Sequence, residues 1–150
     1  MKIALGADHA GYEMKERVKQ ILEARGHQIL DMGTNSTEPT DYPPYAFRVS
    51  ESVRDGVADR GVLVCDSGNG IAIAANKVEG IRAAIAVNRW QAEMARRHND
   101  ANVLVLASKL TPSETEAEIV GAWLDSPFDG GRHARRIGQI SEYERTHERR

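Results

Sequence analysis

The sequence predicts an α/β fold with a parallel sheet. Short runs that are apolar at consecutive positions alternate with stretches of helical periodicity along the 150 residues. Such runs are strands covered on both faces, and strict alternation with helices makes the sheet parallel. The polar and glycine-rich clusters follow the first and third of these runs, where an open parallel sheet binds its ligands. The result is a single doubly wound, Rossmann-like three-layer domain over residues 1–150, with about five strands and an extended C-terminal helical segment at 131–150.

Ile3-Ala4-Leu5 forms the first strand. Ala10, Met14, Val18 and Leu22 recur every four residues on one face of a helix that Gly26 stops. Gln28-Ile29-Leu30 is the second strand, and Gly33 to Thr40 is a polar loop. Pro43 and Pro44 suit a first helical turn, after which Tyr45, Val49, Val53 and Val57 line the second helix. Gly61 to Cys65 is the third strand, and Ile71 to Asn76 leaves room only for a short helix. Arg82 to Val87, a helix over Asn88 to His98, and Ala101 to Ala107 come next. Thr111-Pro112-Ser113-Glu114 reads as a capping box, continued by Ala117, Val120, Gly121 and Leu124. The last segment carries only a thin apolar stripe, Ile137, Ile140 and Tyr143, which suits either a partner subunit or solvent.

Composition narrows the function classes. A chain of this length buries roughly 68–70% of its unfolded surface and needs no metal or disulfide to hold a core. A single cysteine, Cys65, excludes an internal disulfide framework and suits a reducing cytoplasm. A net charge of −2 argues against a nucleic-acid partner. Apolar runs such as Val103 to Ala107 fall far short of a membrane span, and the N-terminus enters a strand without signal-peptide character. The expectation is a cytoplasmic protein.

The chemistry-bearing residues cluster in a few places. Asp8 and His9 follow the first strand, and Cys65-Asp66-Ser67-Gly68-Asn69-Gly70 ends the third. His98-Asn99-Asp100 precedes the fifth, and the expectation is that all converge on one crevice. The Ser67–Gly70 loop can present several N–H groups to one point, as an anion or oxyanion site, or can be simply a strand-to-helix turn that needs glycine. It matches neither the P-loop nor the dinucleotide fingerprint, which disfavours a nucleotide cofactor. Cys65 is either a small buried hydrophobe or, against a helix N-terminus and near imidazoles, a thiol of lowered pKa able to act as a base. The only close pair of metal-ligating residues is Asp8-His9, which weighs against a metal. Arg132 and Arg136 share a helical face and can clamp a phosphate or form a solvated basic face.

Taken in order, Gly6-Ala7-Asp8-His9-Ala10-Gly11, Thr40-Asp41-Tyr42-Pro43, Gly70-Ile71-Ala72-Ile73-Ala74-Ala75-Asn76-Lys77, Arg97-His98-Asn99-Asp100-Ala101-Asn102-Val103 and Gly130-Gly131-Arg132-His133 resemble the ribose-5-phosphate isomerase B family, which includes galactose-6-phosphate and allose-6-phosphate isomerases. The resemblance implies a cofactor-free aldose–ketose isomerase on a Rossmann-like fold, working as a homodimer or dimer of dimers with sites at the subunit interface. It implies that Cys65 moves the proton between C1 and C2 and that His98 opens the sugar ring. Asp8, His9, the Asp66–Gly70 anion loop, Asn99, Arg132 and Arg136 would contact the substrate, the arginines through its phosphate.

The chain departs from the family pattern at three points. Ile71 stands where one branch has a catalytic glutamate, Asp66 where a glycine is common, and Lys109 where an arginine contact is common. The first places the chain in the cysteine branch, and the other two bear on the choice of sugar. Ribose 5-phosphate isomerisation is the expected activity. Isomerisation of allose or galactose 6-phosphate is the alternative within the class, and a non-catalytic phosphosugar-binding regulator is the alternative outside it.

Overall fold

Strand β1 (Lys2–Ala7) is buried from Ile3 onward because it lies inside the sheet, between β2 (Gln28–Asp31) and β3 (Arg60–Cys65). The computed structural model describes residues 1–147. Its sheet has the order β2-β1-β3-β5-β4, with β4 at Ala83–Ile85 and β5 at Val103–Ala107, and every pairing is parallel. The helices are α1 (Tyr12–Ala24), α2 (Tyr42–Arg54), α3 (Asn69–Ala75), α4 (Arg89–Arg97), α5 (Glu116–Asp125) and α6 (Arg132–Thr146). This is the expected single α/β domain with a five-stranded parallel sheet and a long last helix.

The two-residue repeat of the strands divides the core into two layers. Ile3, Leu5, Val62, Val64, Leu104 and Leu106 pack with α1, α4 and α5, around Met14, Val18, Leu22, Ile119 and Trp123. Ala4, Leu63, Cys65, Val103 and Val105 face the other way, onto Ala46 and Val49 of α2 and Ile71 and Ala75 of α3. Cys65 therefore belongs to the α2/α3 side. Helix α1 ends as expected, with the Gly26 N–H donating to Glu23 O and the His27 N–H to Leu22 O. Among the described residues one charge is fully buried: Lys15 donates to both oxygens of Asp31 at 2.9 and 2.8 Å, and Asp31 also accepts the Gly33 N–H.

Several local expectations give way to tertiary contacts. Ala10 is exposed in a 3₁₀ turn before α1. Helix α2 stops at Arg54, and Val57 lies beyond it in solvent. Strand β4 is shorter than Arg82–Val87, because side chains take the flanking N–H groups: Asn102 Oδ1 accepts from Arg82, and Gln91 Oε1 from Val87. Strand β5 starts at Val103, since the Ala101 N–H still closes α4 on Ala95 O. The capping box does not form. Thr111 Oγ1 donates to Ala107 O, a 3₁₀ turn occupies Ser113–Thr115, and α5 begins at Glu116 with Ala117 in solvent.

Helix α6 covers most of the expected C-terminal segment, and residues 148–150 lie outside the described residues. It is anchored by the Gly80 N–H, which donates to the Glu144 carboxylate. Ile137 is half-buried, while Ile140 is 57% and Tyr143 66% exposed. Among the described residues no helix is long and apolar enough to cross a membrane.

Candidate active site

The chain crosses from β2 at one edge to β3 on the far side of β1, so a crevice opens at the carboxyl ends of β1 and β3. Asp8 leaves β1 there, buried, and accepts the Gly11 N–H at 3.1 Å. Burial raises its pKa, although that hydrogen bond and His9 favour the carboxylate. The Thr40 N–H donates to His9 Nδ1 at 3.1 Å, with Thr40 O at 3.1 Å from the same nitrogen. With Nδ1 accepting, neutral His9 carries its proton on Nε2, a donor available to a ligand. Tyr45, whose hydroxyl lies 3.2 Å from Thr40 Oγ1, supports that loop.

Cys65 ends β3 and is 4% exposed. Burial pushes its thiol pKa up, and the negative charges of Asp8 and Asp66 add to the rise. The N–H groups of Ile71 and Gly68 oppose this by favouring the thiolate. The expected lowering by a helix N-terminus and imidazoles is thus outweighed within one chain.

The loop after Cys65 needs its glycines. Gly68 has φ +83, and a Cβ on Gly70 would lie 2.5 Å from Tyr42 Cζ. The Tyr42 ring therefore closes directly over the loop, a wall of the site that the sequence pattern did not single out. Ser67 Oγ accepts the Asn69 N–H at 3.2 Å and so caps the turn. Asp66 is left for another partner. The Ser108 N–H donates to Cys65 O and the Lys109 N–H to Asp66 O, so the chain after β5 runs alongside and brings Lys109 Nζ to 3.9 Å from Asp66 Oδ1. Asp66 and Lys109, two of the three departures from the family pattern, form an open ion pair beside the thiol, with side chains 52% and 78% exposed.

The expectation that His98-Asn99-Asp100 joins this crevice is corrected. Helix α4 runs back against the strands, so its end lies at the amino edge of the sheet. Arg82, which precedes β4, donates from Nε to Asn99 O and from Nη2 to Asp100 O. Asp100 also pairs with Arg96 at 2.8 Å and is structural. His98 is the C-cap of α4, and His133 of α6 stacks on it. Exposed Arg132 and Arg136 flank His133 and form no ion pair among the described residues. Two half-sites result: Asp8, His9, Cys65, Asp66–Gly70 and Lys109 at one end, and His98, Asn99, Arg132 and Arg136 at the other. Strands of six and five residues separate them. At ~3.3 Å per residue that is on the order of 15–20 Å.

The first half-site offers a buried sulfur, a carboxylate, an imidazole and a ring of backbone donors. The second offers an imidazole pair and two cations suited to phosphate. The family model of the ribose/galactose isomerases matches residues 3–140. The chain belongs to this family. It is 44% identical over 143 residues to ribose-5-phosphate isomerase B of Escherichia coli, covering 95% of this chain and 96% of that protein. The ribose-5-phosphate isomerase B of Clostridium thermocellum superposes with a TM-score of 0.97 at 45% identity, over 99% of this chain and 100% of that one. That of Mycoplasma genitalium, with ribulose 5-phosphate bound, does so with a TM-score of 0.91 at 38% identity, over 96% of each.

Proposed function

We propose that this protein interconverts ribose 5-phosphate and ribulose 5-phosphate, in an active site that two copies of the chain build together. The observation that carries the reading is the division of the site residues between the two ends of one sheet. Neither half alone holds both an acid–base pair and a phosphate clamp. In a homodimer, or a dimer of dimers, the Cys65 end of one subunit faces the His98 end of its partner. Exposed Ile140 and Tyr143 on α6 supply apolar surface for that contact.

Arg132 and Arg136 hold the phosphate by charge-assisted hydrogen bonds. His98 takes the proton from the O1 hydroxyl and returns it to the ring oxygen as the C1–O4 bond breaks, a task suited to imidazole near neutrality. The Cys65 thiolate then removes the C2 proton, the electron pair forms C1=C2, and charge builds on O1. N–H groups of the Ser67–Gly70 loop stabilise that oxyanion. A proton passes from O2 to O1, and the Cys65 thiol delivers its proton to C1 to give the ketose. Asp8, His9 and Asn99 bind the sugar hydroxyls and orient the chain. These steps draw on no redox cofactor, nucleotide or metal. The single thiol suits a reducing cytoplasm as the place of action.

The test is a turnover assay of the purified protein on ribose 5-phosphate, allose 6-phosphate and galactose 6-phosphate, with and without EDTA. The expected result is the highest kcat/KM on ribose 5-phosphate, unaltered by EDTA. A hexose 6-phosphate turned over faster would favour the other activity of the family, with the Asp66–Lys109 pair as the contact for the longer chain. Binding without turnover of any sugar would make the protein a phosphosugar-binding regulator.

A further inference from the structure

His98 and His133 stack face to face, with ring centroids 4.1 Å apart and planes 8° from parallel. Distant parts of the chain build this contact. The His98 N–H donates to Met94 O at 2.9 Å, which fixes its backbone at the end of α4. The loop before α6 is tied to the same helix end: Arg97 Nε donates to Asp129 Oδ1 at 3.1 Å, and the Asp129 N–H to Arg97 O at 3.0 Å. Gly130 and Gly131, at φ +68 and +56, then turn the chain so that α6 begins with His133 inward. His133 is 8% exposed, between arginines that face solvent.

Ligand atoms of His98, Asp129 and His133 lie within 4.8 Å of one another. Stacked as they are, the rings do not make a cation site. A histidine nitrogen binds a metal in its ring plane, and two parallel planes share no point. What the stack does control is the plane of each ring. Two cationic rings at this separation also repel, so a charge on one disfavours a charge on the other. His133 faces His98 from α4, Asp129 from the loop, and Arg132 and Arg136 from its own helix. Its burial, the His98 charge and the two arginines together push its pKa down, against Asp129. The Asp129 carboxylate is already shared with Arg97.

We propose that His133 is a positioning residue for His98: its ring, turned inward by the Arg97–Asp129 tie, fixes the plane of the His98 ring. The proposal rests on the reading of His98 as the group that opens the sugar ring. His133 then acts without touching the substrate, by keeping the His98 ring in the plane in which it takes the O1 proton and returns it to the ring oxygen.

The experiment follows the histidine ring resonances of the full-length protein across pH, with turnover measured on the same samples. In the wild type His133 titrates below the usual imidazole range. His98→Phe keeps the stack and removes the charge, so the His133 midpoint rises by at least about half a pH unit. His133→Ala lowers kcat on ribose 5-phosphate by about tenfold or more and leaves KM nearly unchanged, as expected for lost orientation. His133→Phe, which keeps a ring to stack on, restores most of that turnover. Resonances of the remaining histidines report that each variant is folded. An unchanged His133 midpoint in His98→Phe overturns the proposal, as do equal losses in both His133 variants carried by KM. Wild-type turnover in His98→Asn would instead overturn the role of His98, while the raised His133 midpoint in His98→Phe would still be observed.

Discussion

Cys65 and His98 sit at opposite ends of one sheet: Cys65 closes β3 at its carboxyl edge, and His98 caps α4 beside the amino edge of β5. On the proposed reading the first is the proton-transfer base and the second the ring-opening group, and residues so far apart serve one substrate only where a second copy of the chain completes the site. Mixing Cys65→Ala protein with His98→Asn protein, each inactive alone, restores about a quarter of wild-type activity after subunit exchange. Half of randomly formed dimers are mixed, and each mixed dimer holds one intact site of two. Removal of residues 131–150 abolishes activity. A fully active monomer in sedimentation would sink the shared site.

The Cys65 thiol works against its surroundings. Burial and the charges of Asp8 and Asp66 hold its pKa up, so turnover climbs as pH rises toward that raised value and the thiolate forms. Asp66→Asn removes one of the opposing charges and moves this limb of the pH–rate profile to lower pH. Cys65→Ala lowers kcat by ~10²–10⁴-fold with substrate affinity retained. A near wild-type kcat in the alanine variant, or an unmoved limb in Asp66→Asn, contradicts these roles.

Arg136 stands one turn beyond Arg132 on α6, exposed and unpaired among the described residues. Arg136→Ala raises KM for ribose 5-phosphate by an amount equivalent to ~1.5–3 kcal/mol, the worth of a charge-assisted hydrogen bond. The effect disappears with the unphosphorylated sugar. Equal losses on both sugars would exclude a phosphate contact.

The pair of buried Lys15 and half-buried Asp31 holds the path of the chain from β2 into the Gly33–Thr40 loop, through the Asp31 bond to the Gly33 N–H. Lys15→Ala takes from Asp31 its fully buried partner, leaving Lys19 and the Gly33 N–H, and costs about 1–3 kcal/mol, read as a fall in the denaturation midpoint. Lys15→Met, which keeps the volume, costs less. Burial alone would raise the Asp31 pKa, but bonds from Lys15, Gly33 and Lys19 outweigh it and hold the carboxyl below its usual range. The pair's stabilisation is therefore present above the unfolded carboxyl value of about 3.9 and is lost as pH falls through the lower folded value. Acid titration of the wild type and Lys15→Met shows this as a difference that shrinks below about pH 4. A constant difference would contradict it.

The sequence by itself determined the layering. The runs Ile3–Leu5, Val62–Cys65 and Val103–Ala107 are apolar on both faces, and only a parallel sheet with helices on either side buries them so. It also marked the glycine loop, because a chain that turns from β3 into α3 beneath Tyr42 has no room for a side chain at Gly70. Only the tertiary structure decided which residues meet. Helix polarity sends His98 away from Cys65, although both read as members of one crevice. A histidine between arginines reads as solvated, and it takes the Arg97–Asp129 tie across the loop to turn His133 onto His98. Asp66 and Lys109 meet because β3 and β5 are neighbours in the sheet. Periodicity along a chain records which face of an element is buried, because burial repeats with the element. It carries no record of direction or of long-range neighbours, since these follow from how whole elements pack.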